Sequence, residues 1–310
     1  MSPDQIAALC EQFCHETATG TYSEQSQSLR LLENGINFPS LKYDELMAAI
    51  IGLSEVLLRP GLNAVIDRDH YALWAWCGEL LLGPMAQIKI HNQNIMPHEI
   101  NELYKVTIRA ALAHCKRPTN QPQEVLLSEF MNPSTATHLK NSCSIILAYL
   151  TFPLLEALLK QVCSEYVSQD AKIIKEFSRL NKKGEPYTSE IGGEAGISIL
   201  LNLLYDHVAN PELKALLNRY RNHLQSTENS VDAFALIYHW RCSSLHGTTN
   251  YPTIGGIILN LCLLLSTYQI KDSFEDYLRE GNMAWPRSVS GGPSFDNFYP
   301  PECFLKPLEG

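Results

Sequence analysis

Apolar side chains recur at three- and four-residue intervals through most of the chain, the spacing of amphipathic helices. No run alternates in the manner of a half-buried strand. The pattern predicts helices over 3–16, 41–58, 67–82 and 97–115, each bounded by proline or glycine, with a polar stretch over 17–28. Pro118, Pro122 and Pro133 mark 117–136 as a domain boundary, so residues 1–130 form one helical domain and 135–280 a second. The second opens with a long helix over 138–166 that Pro153 should kink by removing an amide donor. A basic loop, Asn181-Lys182-Lys183-Gly184-Glu185-Pro186, precedes helices over 194–209, 211–225, 230–246 and 253–280. Residues 281–310 hold four Gly and five Pro and read as an irregular tail, with Trp285, Phe295, Phe298, Tyr299 and Phe304 to pack it on the body. The expected fold class is all-α.

Composition narrows the class. At 45% hydrophobic and 18% charged residues the chain is too apolar for disorder. Its net charge of −9 argues against a general nucleic-acid coat protein. The charge is uneven, however: residues 1–130 carry a net −6 and residues 139–183 a net +3, enough to line a cleft locally. Nine cysteines without a Cys-x-x-Cys pair read as reduced core thiols of a cytoplasmic protein. No basic-then-apolar leader opens the chain, and the longest apolar stretch, Ile254 to Leu265, is too short to span a bilayer, so no membrane is expected. That stretch is apolar all round, and Gly255-Gly256 lets a backbone approach closely. Burial on both faces therefore points to a homodimer formed through the C-terminal domain.

The most informative segment is Tyr238-His239-Trp240-Arg241-Cys242-Ser243-Ser244-Leu245-His246-Gly247, at a helix end with Gly247 as its stop. A guanidinium holds and neutralises phosphate oxygens, and an imidazole moves protons near neutral pH. Together they suffice for metal-free phosphodiester cleavage. A rival match, Arg109 to His114, runs on into Cys115-Lys116 with no glycine stop. A spacing of five sets Arg241 and His246 about 140° apart on a straight helix, so the two do not stack on one face. Glu156 and Lys160 lie one turn apart among leucines on the long helix and form an i,i+4 ion pair by spacing.

The motif resembles the catalytic motif of the HEPN superfamily, all-α domains with Arg-x4–6-His written as Arg-polar-x-x-Leu/Val-His-Gly, over residues 135–280. The resemblance implies a four-to-five-helix bundle and a dimer whose motif helices build one cleft. It also implies Glu156 as the partner of Arg241, since some of these families carry Glu-x3-Lys/Arg on an early helix. The expected activity is metal-independent cleavage of RNA (tRNA or mRNA) by 2′-hydroxyl attack, with no cofactor, as in toxins or anti-phage effectors. Arg241, His246 and Glu156 are then the catalytic residues, and Lys160, Lys182, Lys183, Ser243 and Ser244 the substrate contacts. An antitoxin or regulatory partner belongs to the same expectation, although Thr248 stands where toxins paired with nucleotidyltransferase antitoxins carry tyrosine. Cys242 departs from the usual polar residue and favours the alternative, a catalytically degenerate HEPN domain that binds a protein or a nucleotide. Cys10, Cys14 and His15 read as core packing and not as zinc ligands, and no P-loop, dinucleotide or zincin motif occurs.

Overall fold

Ser2-Pro3-Asp4-Gln5 opens the first helix as a reciprocal cap. The Ser2 amide donates to Gln5 Oε1 at 2.8 Å, and the Gln5 amide to Ser2 Oγ at 3.3 Å. Asn210 plays the same part ahead of Pro211, accepting the Leu213 amide at 2.9 Å. The computed structural model describes residues 1–18, 30–58, 66, 68–83, 97–113, 135–180, 185–227, 233–246 and 251–289. Its helices are α1 (Pro3–Ala18), α2 (Arg30–Glu33), α3 (Tyr43–Leu58), α4 (Arg68–Leu82), α5 (His98–Ala113) and α6 (Thr135–Val162). They continue with α7 (Ile197–Leu203, running into a π turn at Leu204–Val208), α8 (Pro211–Thr227), α9 (Ala233–Leu245), α10 (Tyr251–Gln269) and α11 (Phe274–Val289). The fold is all-α, as the periodicity predicts.

Among the described residues, one small sheet departs from that pattern. Strands β1 (Phe177–Leu180) and β2 (Pro186–Ser189) pair antiparallel, with Phe177 opposite Ser189 and Arg179 opposite Tyr187. Only Phe177 and Ser189 of these eight positions are buried, so no alternating hydrophobic signal marks the strands. The Arg179 guanidinium stacks over the Tyr187 ring at 4.7 Å, and its Nε donates to Ser189 Oγ at 2.7 Å.

Helix α10 is the axis of the molecule. From Ile257 to Leu265 every residue is buried, and α6, α3, α5 and α4 all pack on it. A Cβ added at Gly255 would lie 2.8 Å from Leu147 of α6, and one at Gly256 would lie 3.0 Å from Leu57 of α3. The glycine pair is what lets these helices meet so closely. Asn260, the one polar residue of the stretch, accepts the buried Trp74 indole N–H at 2.7 Å. The Tyr220 hydroxyl donates to the Ile257 carbonyl at 2.7 Å. The all-round apolarity of this helix is thus consumed within one chain. No face of α10 from Ile257 to Leu265 is left for a second protomer to cover.

A single core runs from Ile6 to Tyr277. The boundary expected at 117–136 falls almost wholly outside the described residues, and the helices on its two sides share that core. A cluster of charges joins them as well. Glu55 Oε1 of α3 receives both His223 Nε2 at 2.8 Å and Arg219 Nη2 at 3.2 Å from α8. Cys10, Cys77, Cys163 and Cys262 are buried thiols, as expected of core cysteines, whereas Cys143 and Cys242 are half-buried. Burial pushes the Cys163 thiol up to about 12 and holds it uncharged.

The C-terminal boundary needs correction. The helix expected over 253–280 bends by 64° after Gln269, and α11 then carries helical structure to Val289, past the expected start of the irregular tail. Gly281 sits against Trp76 and Asn282 donates to the Pro39 carbonyl at 2.8 Å, so this part of the tail docks on the N-terminal helices. Phe295, Phe298, Tyr299 and Phe304 lie outside the described residues, as does the side chain of Trp285. Segment Ser142–Val162 of α6 is long and apolar enough to cross a membrane by length and composition, with 50% of its apolar window buried among the other helices. Thr151, Glu156 and Lys160 interrupt its apolar run, so no unbroken stretch marks it in the sequence.

Candidate active site

Two contacts fix how the motif helix lies. Arg241 Nη2 stands 3.5 Å from Glu156 Oε2, and the Tyr149 hydroxyl donates to the Ser244 carbonyl at 2.9 Å. Residue numbers rise along α9 as they fall along α6, so the two helices are antiparallel there. Glu156 also meets Lys160 through its other oxygen, at 3.7 Å one turn on. One half-buried carboxylate therefore faces two cations. The distances are those of ion pairs looser than a bidentate fork, which leaves the guanidinium able to turn toward an anion. Arg241 keeps 37% of its side chain exposed.

His246 follows the last residue of α9. Its amide donates to the carbonyls of Cys242 and Ser243 at 3.1 and 3.2 Å, while its side chain is exposed. Arg241, Glu156 and Lys160 are brought together in the structure, and His246 stands just past the helix end. Ser243 is half-buried, but Ser244 is 1% exposed. Of the two serines expected to meet phosphate, Ser244 is turned into the protein and so cannot reach a bound strand. Lys182 and Lys183 lie outside the described residues, between β1 and β2. His114 of the rival match lies outside them too.

Cys242 has a local partner. Contact with its thiol, ahead of thiolate charge and burial, pushes the Tyr238 phenol above its ordinary range, and Arg241 pulls the other way. Tyr238 therefore stays protonated and neutral at working pH. A strip of exposed apolar side chains borders the site: Ile145, Ile146 and Tyr149 on α6 and Leu245 on α9, the last 60% exposed. Neither this strip nor Tyr149 was visible in the sequence. The only available signal was the seven-residue step from Tyr149 to Glu156, two helical turns that put both on one face. Among the described residues no group of three His, Cys, Asp or Glu side chains gathers as metal ligands do.

Substituting Glu156 tests this geometry. Glu156→Gln keeps the shape and removes the charge that holds Arg241. Any activity that depends on Arg241 should fall about 10–100-fold, a usual cost of misplacing a catalytic group. Lys160→Ala, which leaves the Glu156–Arg241 pair intact, should cost far less. The chain matches no family model, no curated protein and no solved structure with which it was compared.

Proposed function

We propose that the chain is a metal-independent endoribonuclease of the HEPN type. The observation that carries this reading is the Glu156–Arg241 pair at 3.5 Å, with the exposed His246 side chain at the end of the same motif helix. Arg241 binds the scissile phosphate and offsets charge that grows in the transition state, a contribution worth about 3–4 kcal/mol in a dry cleft. Glu156 orients Arg241. His246 moves the proton, taking it from the 2′-hydroxyl or giving it to the leaving 5′-oxygen. Because the two residues point about 140° apart, the reading includes a dimer in which motif helices of two protomers complete one cleft. The exposed strip of Ile145, Ile146, Tyr149 and Leu245 supports that arrangement, being apolar surface beside the motif. Ser243 and Lys160 flank the strand, with Lys182 and Lys183 proposed to guide it. A toxin or anti-phage effector in the cytoplasm, under an antitoxin or other regulatory partner, is the biological setting this chemistry suits.

A second reading has its own observation. Cys242 stands where the resembling family carries a polar side chain, and a thiol hydrogen-bonds only weakly. A degenerate domain that binds a protein or nucleotide through the same apolar strip would look alike.

Incubation of the protein with total RNA in EDTA separates the two. The ribonuclease reading expects fragments ending in 2′,3′-cyclic phosphate and 5′-hydroxyl, and no cutting of DNA, which lacks the nucleophile. Cleavage that requires a divalent ion, or that proceeds on a 2′-deoxy substrate, would overturn the mechanism. Tight binding of a partner with no cleavage would establish the second reading.

A further inference from the structure

The last four carbonyls of a helix have no partner within it. On α9 these belong to Cys242, Ser243, Ser244 and Leu245. The first two share the His246 amide. The third is taken by a residue 95 positions away, Tyr149, whose hydroxyl lies 2.9 Å from it. Two turns further along the same face of α6, Glu156 meets Arg241. Helix α6 therefore grips the motif at two points, one at the arginine and one in the turn that carries the histidine. Helix ends fray unless something holds them, and Gly247, which follows His246, contributes no side-chain anchor.

We propose that Tyr149 is a positioning residue for His246: its hydroxyl pins the final turn of α9 and so fixes where the imidazole stands relative to Arg241. This assignment rests on the ribonuclease reading above. Tyr149 is 39% exposed, so its hydroxyl is not needed to fill a core, and its ring can stay in place when that group is removed. Releasing the Ser244 carbonyl loosens the turn through which the His246 amide is bonded. The imidazole then samples positions around the productive one, and the rate falls by the fraction of time it is misplaced. Substrate affinity, set by Arg241 and the lysines, is untouched.

The test is Tyr149→Phe in the full chain. The expected result is a kcat lower by about tenfold with KM within about twofold of wild type, an unchanged thermal midpoint, and displaced or broadened His246 ring signals in a ¹H–¹³C spectrum. A purely structural role would lower the midpoint and leave the kcat of the folded fraction alone. Wild-type kcat in the variant, or His246 ring signals that do not move, would overturn the proposal. Should Phe unfold the protein, Tyr149→Trp, which fills the space and lacks the hydroxyl, is read by the same spectrum. If the wild type cuts no RNA, the ribonuclease reading falls and this role for Tyr149 falls with it. If the wild type cuts and Tyr149→Phe cuts equally fast, only the Tyr149 assignment is lost.

Discussion

Loss of His246 is expected to abolish RNA cleavage without disturbing the protein. General acid–base catalysis contributes about 10²–10⁴-fold, so His246→Ala should lower the initial rate on a defined RNA by that factor. Its side chain is exposed beyond the last turn of α9 and fills no cavity. The circular dichroism spectrum and thermal midpoint should therefore match wild type. Arg241→Ala should lower the rate by about 10²–10³-fold, the usual cost of removing a group that stabilises transition-state charge. The double variant should be little worse than His246→Ala alone, because residues that act on one transition state are not additive. A His246→Ala protein that still cuts at the wild-type rate would place the chemistry elsewhere. The Glu55–Arg219–His223 cluster would then be the next grouping to examine, since Arg219 and His223, four residues apart, share one helix face with a carboxylate between them.

The largest effect on stability is expected at Trp74. It is fully buried, packs near Gly256, and donates its indole N–H to Asn260. Trp74→Ala removes the ring and should cost about 3–5 kcal/mol through lost burial and the cavity left behind. It also strands the Asn260 carbonyl in the core, adding about 1–3 kcal/mol. Urea denaturation followed by circular dichroism should show the unfolding free energy lowered by that amount, with helices of both halves melting in one transition. Two separate transitions, only the first moved by the substitution, would mean that the halves on either side of 117–136 fold independently despite their shared core.

Helices were legible where local chemistry defines them. Pro3, Pro211 and the Arg59-Pro60-Gly61 stop mark ends that depend only on neighbouring residues. The β1–β2 hairpin was not legible, because each strand buries a single residue and its pairing is set by position against the body instead of by a pattern along the chain. For α10 the sequence showed that every face must be covered but not by what. A partner protomer and the chain's own α3, α4 and α6 satisfy the same pattern, and only the fold distinguishes them. In the candidate site, Arg241, His246 and Glu156 stood out through motif and resemblance. Tyr149 did not, since a tyrosine on an apolar helix reads as core packing and its hydroxyl acquires a partner only from the crossing of α6 and α9.

The central place of α10 also sets an order in time. Chains emerge from the ribosome at about 5–20 residues per second and begin to fold as they do so. Helices α3 to α6 are made first, yet the surfaces around Leu57, Trp74 and Leu147 close on Gly255 and Gly256, more than a hundred residues downstream of Leu147. A nascent chain that has not yet released residue 269 therefore carries uncovered apolar helices and no finished core. Insertion of α10 buries them, so the cooperative fold arrives as a late event. Stalled or truncated products that end before α10 should accordingly leave these surfaces bare and be prone to clump.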